Sequence, residues 1–223
     1  MFQVRIHGRG GQGVVTGAEM LSIAAFQGGR HAQAFPSFGS ERTGAPVVAF
    51  CRMDDKEIRL REPIMEPDAL IIQDPTLLYQ VDVFSGLKKD GYILINTTKT
   101  FDQLGLGDFI KGFRPEHLLT VPASELAMKH VRRPVPNVPL LGAFAALGGL
   151  ITLEAVHAAI QRKFSGAVAQ GNMLAASEAY EVVMEQKRQA QAAAAQGRPK
   201  QGAAPVGGSV VREATNVGVN HHA

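Results

Sequence analysis

The chain has 223 residues, of which 45% are hydrophobic, so it can bury the core of one large domain or two small ones. Its formal net charge is +3, but five of the 23 basic residues and only one of the 20 acidic residues lie from Lys187 onward. The body of the chain is therefore close to neutral, with a net charge of about −1, and offers no electrostatic case for binding nucleic acid.

The single cysteine, Cys51, lies in an apolar run, which favours a small buried residue over a catalytic thiol. A disulfide within the chain is impossible, which fits a reducing cytoplasm, and any iron–sulfur centre must belong to another subunit. The chain does not open on a signal-sequence pattern, and no apolar stretch reaches about 20 residues. We therefore expect a cytoplasmic protein that does not cross a membrane.

The first predicted unit is a strand at residues 2–6, a glycine-rich loop at 8–13 and a helix at 14–26. A second strand follows at 31–35. It ends in a loop, residues 36–46, that is bounded by prolines and rich in small polar side chains. Such a loop suits a binding role as well as an ordered connection, because functional residues concentrate on loops held by a rigid scaffold.

The next segment predicts an antiparallel hairpin. Residues 47–53 form an apolar strand, 54–56 a turn, and 57–61 alternate as its partner strand. An antiparallel pair inside an otherwise parallel sheet would make the sheet mixed.

The rest of the chain alternates buried strands with helical segments. Further strands are predicted at residues 69–73, 91–96 and 117–121, a short helical turn at 76–80, a further element at 83–87, and helices from 122 and at 140–149, 153–164 and 172–188. Asp74 follows a strand, where it could cap the next turn or orient a ligand, and Ser124 is a candidate cap.

This order predicts an α/β fold with three layers, α/β/α, in which helices cover both faces of a mostly parallel, partly mixed sheet. We assign residues 1–188 to this domain. Residues 189–223 are rich in Ala, Gln, Gly and Pro and poor in large apolar groups, so we expect a disordered tail, or one that orders only on a partner. A metal site at its His221–His222 pair is not expected.

The glycine loop after the first strand has the chemistry of an anion site. Gly8 can make the tight turn out of the strand, Gly10 and Gly11 let the backbone approach an anion, and Arg9 could add a charged fork. Gln12 and Gly13 lead into a helix whose free N–H groups and dipole favour negative charge. A glycine turn that only packs the helix on the strand is the alternative.

The loop also matches the dinucleotide fingerprint G-x-G-x-x-G. That fingerprint needs an acidic residue at the end of the second strand, to hold a ribose hydroxyl. Here the second strand ends in Pro36-Ser37-Phe38, with no acid, so we reject NAD or FAD binding.

The remaining candidate binding residues are Ser37, Glu41, Arg42 and Thr43 in the polar loop and Asn137 before a helix. Asn137 could equally be a cap. His7 and Glu19 are poorly placed to act as an acid–base pair, and we take His7 as a structural histidine. No residue of this chain is predicted to be catalytic or to bind a metal.

Four motifs, in order, resemble one known family: GRGGQG at residues 8–13, QAFPSFGSERTGAP at 33–46, DPTLL at 74–78 and PNVPLLG at 136–142. Over residues 2–187 the chain resembles the gamma subunit of pyruvate:ferredoxin oxidoreductase and, more broadly, of the 2-oxoacid:acceptor oxidoreductases. Four motifs in the right order are far more specific than one glycine loop.

The resemblance implies a complex that decarboxylates a 2-oxo acid on thiamine diphosphate with Mg, passes electrons through [4Fe–4S] clusters to ferredoxin or another acceptor, and captures the acyl group on coenzyme A. Related complexes run the reaction in reverse. The implied partners are alpha, beta and delta-type subunits, which would hold the thiamine diphosphate and the clusters. The gamma subunit would help to shape the coenzyme A site, and its glycine loop would then face a pyrophosphate.

Three functions are thus open. The chain is a non-catalytic subunit with a phosphate-binding loop for coenzyme A, a pure assembly subunit whose loop only packs, or a stand-alone nucleotide-binding enzyme. Pyruvate is the expected substrate, with branched-chain and aromatic 2-oxo acids such as phenylglyoxylate as alternatives. A bulkier residue at Gly11 should raise the KM for coenzyme A under the first function alone.

Overall fold

The computed structural model of the chain describes residues 1–37 and 43–196. Within them, a six-stranded sheet is combined with five α-helices. The strands are β1 (Phe2–Arg9), β2 (His31–Pro36), β3 (Pro46–Asp54), β4 (Ala69–Ile72), β5 (Tyr92–Asn96) and β6 (Leu118–Val121). The α-helices are α1 (Val14–Gln27), α2 (Ala123–Val131), α3 (Asn137–Gly148), α4 (Leu153–Lys163) and α5 (Gly166–Gln196).

The sheet has the strand order β2-β3-β1-β4-β5-β6. β3 runs antiparallel to both of its neighbours, whereas β1, β4, β5 and β6 pair in parallel. The predicted α/β class and mixed sheet are confirmed.

The predicted hairpin is wrong, because residues 57–61 form no strand. Both edges of β3 are already paired, with β1 and β2, so no edge is left for a further strand. The buried Arg52 guanidinium instead donates to the carbonyls of Leu60 (3.3 Å) and Glu62 (2.6 Å) and holds this irregular segment over the sheet. The antiparallel strand of the mixed sheet is β3 itself.

One face of the sheet carries the α-helices of the described chain. Val4 and Ile6 of β1 and Leu94 of β5 point to this face and join an apolar cluster to which all five helices contribute. Alternate strand residues, such as Ile72, Ile93 and Ile95, point to the other face. That face is covered by the 3-10 helices Pro75–Tyr79 and Phe109–Gly112 and by turns, with Leu77, Val83, Phe101 and Leu104 as its apolar contacts.

The prediction of α-helices on both faces is therefore corrected for the second face. The segments that link β4 to β5 and β5 to β6 contain Pro75, Pro115 and several glycines, two of which, Gly86 and Gly105, adopt positive φ. Such residues interrupt an α-helix, which leaves short 3-10 turns.

Two end features also differ from the prediction. Ser124 lies inside α2, and the helix start is capped from β5: Asn96 Oδ1 accepts from the Ser124 N–H (3.0 Å) while Asn96 Nδ2 donates to Ser124 Oγ (2.8 Å). The helix α5 continues past residue 188 to Gln196, because alanine and glutamine are good helix formers. The rest of the predicted tail, 197–223, lies outside the described residues.

Candidate functional site

The glycine loop follows β1, the strand from which the chain continues to one side of the sheet and later to the other. From β1 the chain passes through α1 toward β2 on one side, whereas β4, the parallel neighbour of β1, leads to β5 on the other side. A crevice opens at such a point beyond the carboxyl ends of the strands, and ligands of open α/β sheets bind there. The loop between β1 and α1 and the turn after β4 both lie at this edge of the sheet, where Arg9 and Gln12 contact Asp74 directly.

Gly11 and Gly13 give the loop its shape. Their φ angles are +94° and +70°, a conformation that side chains disfavour. A Cβ on Gly11 would meet no atom within 4 Å, so its backbone is open to a ligand. Gly13 is the N-cap of α1 and provides no side-chain cap, and the first turn of the helix carries no acidic residue. The N–H groups of this turn therefore lack an intrahelical partner and favour an anion.

Packing explains Gly8 and Gly13. A Cβ on Gly8 would lie 2.6 Å from Val14 Cγ2 and 3.1 Å from Gln73 Cβ, and one on Gly13 would overlap the Asn137 amide. These two glycines allow α1, β4 and α3 to approach closely. The alternative that the loop only packs thus accounts for Gly8 and Gly13, but not for Gly11.

Arg9 and Gln12 bind to Asp74 at the end of β4. The Arg9 Nε and the Gln12 Nε2 both donate to Asp74 Oδ2, at 3.0 and 2.9 Å. Arg9 also donates to the Gly44 carbonyl (3.0 Å), to Thr76 Oγ1 (2.7 Å) and to Gln80 Oε1 (2.8 Å). Most donors of the Arg9 fork are thus occupied within the chain.

Asp74 is a carboxylate at neutral pH. Burial acts to raise its pKa, but hydrogen bonds from Thr76 and Gln12 and the charge of Arg9 outweigh burial and hold the pKa below its usual value. It also caps the following 3-10 helix through the Thr76 N–H (2.9 Å). The cap expected from the sequence is therefore confirmed, and the contacts with the loop are additional.

Asn137 lies next to the loop, although 124 positions separate it from Gly13. Its Nδ2 donates to the Gly13 carbonyl (3.2 Å), and its Oδ1 accepts from the Val138 N–H (2.9 Å). Asn137 is the first residue of α3 rather than its N-cap, which is Pro136. Its amide fixes the start of α1 relative to α3.

Two cavities, of about 240 and 280 Å³, flank the start of α1. Both are lined by Gly11, Gly13 and Thr16. The smaller one is otherwise formed by the end of α2, the segment before α3 and the region around the start of α5: Ala127, Val131, Arg133, Val135, Asn137, Phe164, Val168 and Asn172. The larger one is otherwise lined by Arg9, Gly10, Val14, Val15 and Val47.

The polar loop is described only in part. Thr43 forms a bridge with Gly10, where Gly44 N–H donates to the Gly10 carbonyl (3.1 Å) and Gly10 N–H to the Ala45 carbonyl (2.9 Å). This brings Thr43 beside the glycine loop. Ser37 is exposed just beyond β2, where its N–H donates to the Val48 carbonyl (2.8 Å). The predicted residues Glu41 and Arg42 lie outside the described residues.

The His7 side chain contacts Arg5 rather than the glycine loop. It is buried, and its Nε2 lies 3.0 Å from the Arg5 Nε, which donates to it. Burial, followed by the nearby Arg5 charge, lowers the pKa of His7 to about 3. Glu19, which is poorly placed in the sequence to pair with His7, binds Lys163 (2.9 Å). His7 is thus a neutral structural residue, as expected from the sequence, and it forms no acid–base pair with Glu19.

Sequence reasoning missed several residues around the loop. Thr16, Val135, Phe164 and Asn172 line the smaller cavity, and Gln80 binds Arg9. The only signal in the sequence was the Asp-Pro-Thr run after a buried strand, which pointed to this edge without giving its contacts.

The described part of the chain contains no cluster of potential metal ligands and no helix that could span a membrane. No group of three or more His, Cys, Asp or Glu residues there could hold a metal ion. None of the helices in residues 1–37 and 43–196 is long and apolar enough to span a membrane.

Comparison with known proteins gives the family. The model of the pyruvate ferredoxin/flavodoxin oxidoreductase family matches residues 3–182. The pyruvate/ketoisovalerate oxidoreductases common subunit gamma of Thermococcus kodakarensis is 47% identical over 180 residues, which cover 81% of this chain and 96% of the relative. The pyruvate synthase subunit PorC of Methanocaldococcus jannaschii is also 47% identical, with the same coverage.

A solved structure agrees. The crystal structure of pyruvate oxidoreductase subunit PORC from Thermotoga maritima is 35% identical, covers 81% of this chain and 96% of its own, and superposes with a TM-score of 0.68. The chain therefore belongs to the pyruvate ferredoxin/flavodoxin oxidoreductase family and is of the gamma-subunit type.

Proposed function

We propose that this gamma-type subunit binds the phosphates of coenzyme A at the start of α1 and contributes to the assembly of its complex. The single observation that carries the proposal is the start of α1, which has no side-chain cap and no acidic residue in its first turn, beside the open backbone of Gly11. Because helix N-termini attract anions, the pyrophosphate of coenzyme A is a ligand of matching chemistry.

The structure modifies the predicted role of Arg9. Asp74 neutralises its charge, and Gly44, Thr76 and Gln80 take further donors. The N–H groups of Arg9, Gly10 and Gln12 also donate within the chain. In this proposal the backbone at Gly11 and the N–H groups of the first turn of α1 bind the anion, while Arg9 holds the loop in place.

The proposed complex converts pyruvate and coenzyme A to acetyl-CoA and CO2 with transfer of electrons to ferredoxin, or runs the reverse reaction. Alpha, beta and delta-type subunits would hold the thiamine diphosphate, the Mg and the [4Fe–4S] clusters. Pyruvate is favoured because the relatives from Methanocaldococcus jannaschii and Thermotoga maritima are named for it. The cytoplasmic location stays a prediction.

A branched-chain substrate is the second candidate. The relative from Thermococcus kodakarensis is named as a subunit common to pyruvate and ketoisovalerate oxidoreductases. A subunit of this type could therefore serve two complexes. Purifying every complex that contains this chain, and assaying each with pyruvate, ketoisovalerate and phenylglyoxylate in the presence of coenzyme A and a viologen dye, would identify the substrates.

The coenzyme A site is tested at Thr16, which lies in the first turn of α1 and lines both cavities. In the purified complex, Thr16→Asp should raise the KM for coenzyme A by about tenfold, because its carboxylate competes for the free N–H groups and repels phosphate. The KM for the 2-oxo acid should not change. An acid near a helix N-terminus favours the helix, so assembly should be normal.

The matched control is Thr16→Asn, which has the shape of the aspartate without its charge. It should leave the KM for coenzyme A within about twofold of the unmodified complex, since only the charge repels phosphate. An unchanged KM for coenzyme A in an intact Thr16→Asp complex would show that the loop only packs, and the chain would then be an assembly subunit.

A further inference from the structure

Asp74 makes two separate sets of contacts. Its Oδ1 accepts from the Thr76 N–H (2.9 Å) and the Thr76 hydroxyl (2.6 Å), which caps the 3-10 helix after β4. Its Oδ2 accepts from Arg9 Nε (3.0 Å) and Gln12 Nε2 (2.9 Å), which belong to the glycine loop. One carboxylate oxygen therefore serves its own turn and the other serves the loop.

The two loop residues that Asp74 binds bracket Gly10 and Gly11. They are also bound to each other: the Arg9 N–H donates to Gln12 Oε1 (2.8 Å), and the Gln12 N–H donates to the Arg9 carbonyl (3.0 Å). This closes a ring between Arg9 and Gln12. The backbone of Gly10 is bound to Gly44 and Ala45, whereas a Cβ on Gly11 would meet no atom within 4 Å, so the open side of the ring is Gly11. The ring is attached to β4 through Asp74, whose side chain is only 14% exposed.

We propose that Asp74 is a positioning residue that fixes the glycine loop in the conformation that accepts an anion. The proposal rests on the function proposed above, because it gives Asp74 a role in binding coenzyme A without direct contact. A loop with two glycines between its attachment points has many conformations, and selecting one of them when a ligand binds carries an entropic cost. The backbone bonds of Gly10 to Gly44 and Ala45 hold one part of the loop, and the bonds from Asp74 to Arg9 and Gln12 restrict the rest before the ligand arrives.

The test is Asp74→Asn in the purified complex. Asparagine keeps an oxygen for the Thr76 N–H, so the cap of the 3-10 helix survives. Its NH2 group, however, faces the two donors Arg9 Nε and Gln12 Nε2, and both charge-assisted hydrogen bonds are lost. We expect the KM for coenzyme A to rise by about tenfold with kcat unchanged, and hydrogen exchange to become faster at the amides of residues 9–13.

A reciprocal variant should rescue the loop. The double variant that combines Asp74→Asn with Gln12→Glu transfers the carboxylate from position 74 to position 12, its hydrogen-bond partner. The carboxylate introduced at position 12 would accept from the amide introduced at position 74, from the Arg9 side chain and from the Arg9 N–H. The net charge equals that of the unmodified chain. The KM should return to within about threefold of the original value, which gives a coupling between the two sites in a double-mutant cycle.

The matched control is Asp68→Asn at the opposite end of the same strand. Asp68 also accepts from a neighbouring residue of β1, the Gln3 N–H (2.8 Å), and pairs with Lys88 (2.7 Å), but it lies far from the loop along β4. It should leave the KM for coenzyme A unchanged. If Asp74→Asn behaves in the same way, or if the double variant shows no rescue, Asp74 is only a helix cap and the inference is overturned.

The outcome also separates this inference from the function on which it rests. A complex in which Thr16→Asp raises the KM and Asp74→Asn does not would keep the coenzyme A site and overturn the positioning role. A complex in which neither variant changes the KM overturns both, even if exchange at residues 9–13 becomes faster.

Discussion

Replacing Gly142 by alanine should strongly destabilise the fold. Gly142 lies in α3 where this helix crosses α5, and a Cβ there would overlap the backbone carbonyl of Ala176. A flexible side chain could move aside, but a helix backbone cannot. Ordinary overpacking costs about 1–3 kcal/mol, and we expect more than about 3 kcal/mol here because α3 and α5 would have to separate. Chemical denaturation of the purified chain measures the loss.

The control for this substitution is in the same helix. Gly148 ends α3, and a Cβ there would lie 3.4 Å from Tyr92 Oη as its nearest neighbour, which is ordinary contact. Gly148→Ala should be neutral or slightly stabilising, because alanine is the better helix former. If the midpoints of Gly142→Ala and Gly148→Ala fall close together, the close crossing of α3 and α5 is not a determinant of stability.

The second large effect is a loss of stability in mild acid that traces to His7. The folded chain keeps this histidine neutral, because burial and the adjacent Arg5 lower its pKa to about 3. In the unfolded chain the pKa returns to about 6.5. Between these two values the unfolded state binds the extra proton, so the free energy of unfolding falls as the pH falls below about 6.5. The His7 contribution is fully present only above that pH.

The expected loss from His7 is about 2 kcal/mol between pH 6.5 and pH 5, at about 1.4 kcal/mol per pH unit. It is measured by urea denaturation at several pH values for the unmodified chain and for His7→Gln. Glutamine offers an acceptor to Arg5 but does not titrate in this range. The variant should show the flatter dependence, whatever its absolute stability, and two parallel curves would show that His7 is not held neutral.

The measurement is restricted to pH 5 and above for a physical reason. Hydrogen bonds from Lys129 and His130 lower the pKa of Glu178, and contacts with Thr76, Gln12 and Arg9 lower that of Asp74 despite its burial. A carboxyl with a depressed pKa contributes stability that is lost as the pH falls through that pKa, which lies below this window. The difference between the two curves therefore isolates His7.

Much of the α/β framework could be predicted from the sequence. The helix α1 follows from apolar residues at helical spacing, and the buried strands β4 and β5 follow from continuous apolar runs. These signals are local, because the spacing of apolar residues within a strand or helix indicates which of its faces is buried. The glycine loop was predictable for the same reason, since its spacing between strand and helix is contained in six adjacent positions.

Predictions failed where a segment depends on a distant partner. Residues 57–61 alternate like a strand, but β1 and β2 occupy both edges of β3. Ser124 has the side chain of a cap, but Asn96 on the neighbouring strand caps α2. In both cases the position is already taken by a residue or strand distant in the chain, and the local sequence pattern does not indicate it.

The sequence by itself determined the fold class, the resemblance to the family and the position of the glycine loop along the chain. Only the tertiary structure decided how that loop is held: Asp74 and Asn137 reach it across 62 and 124 positions of sequence. These contacts exist because β1 and β4 pair in parallel with aligned carboxyl ends and because α3 packs against the start of α1. Hydrogen bonds between groups so far apart are fixed by the packing of the whole domain, which sequence spacing does not encode.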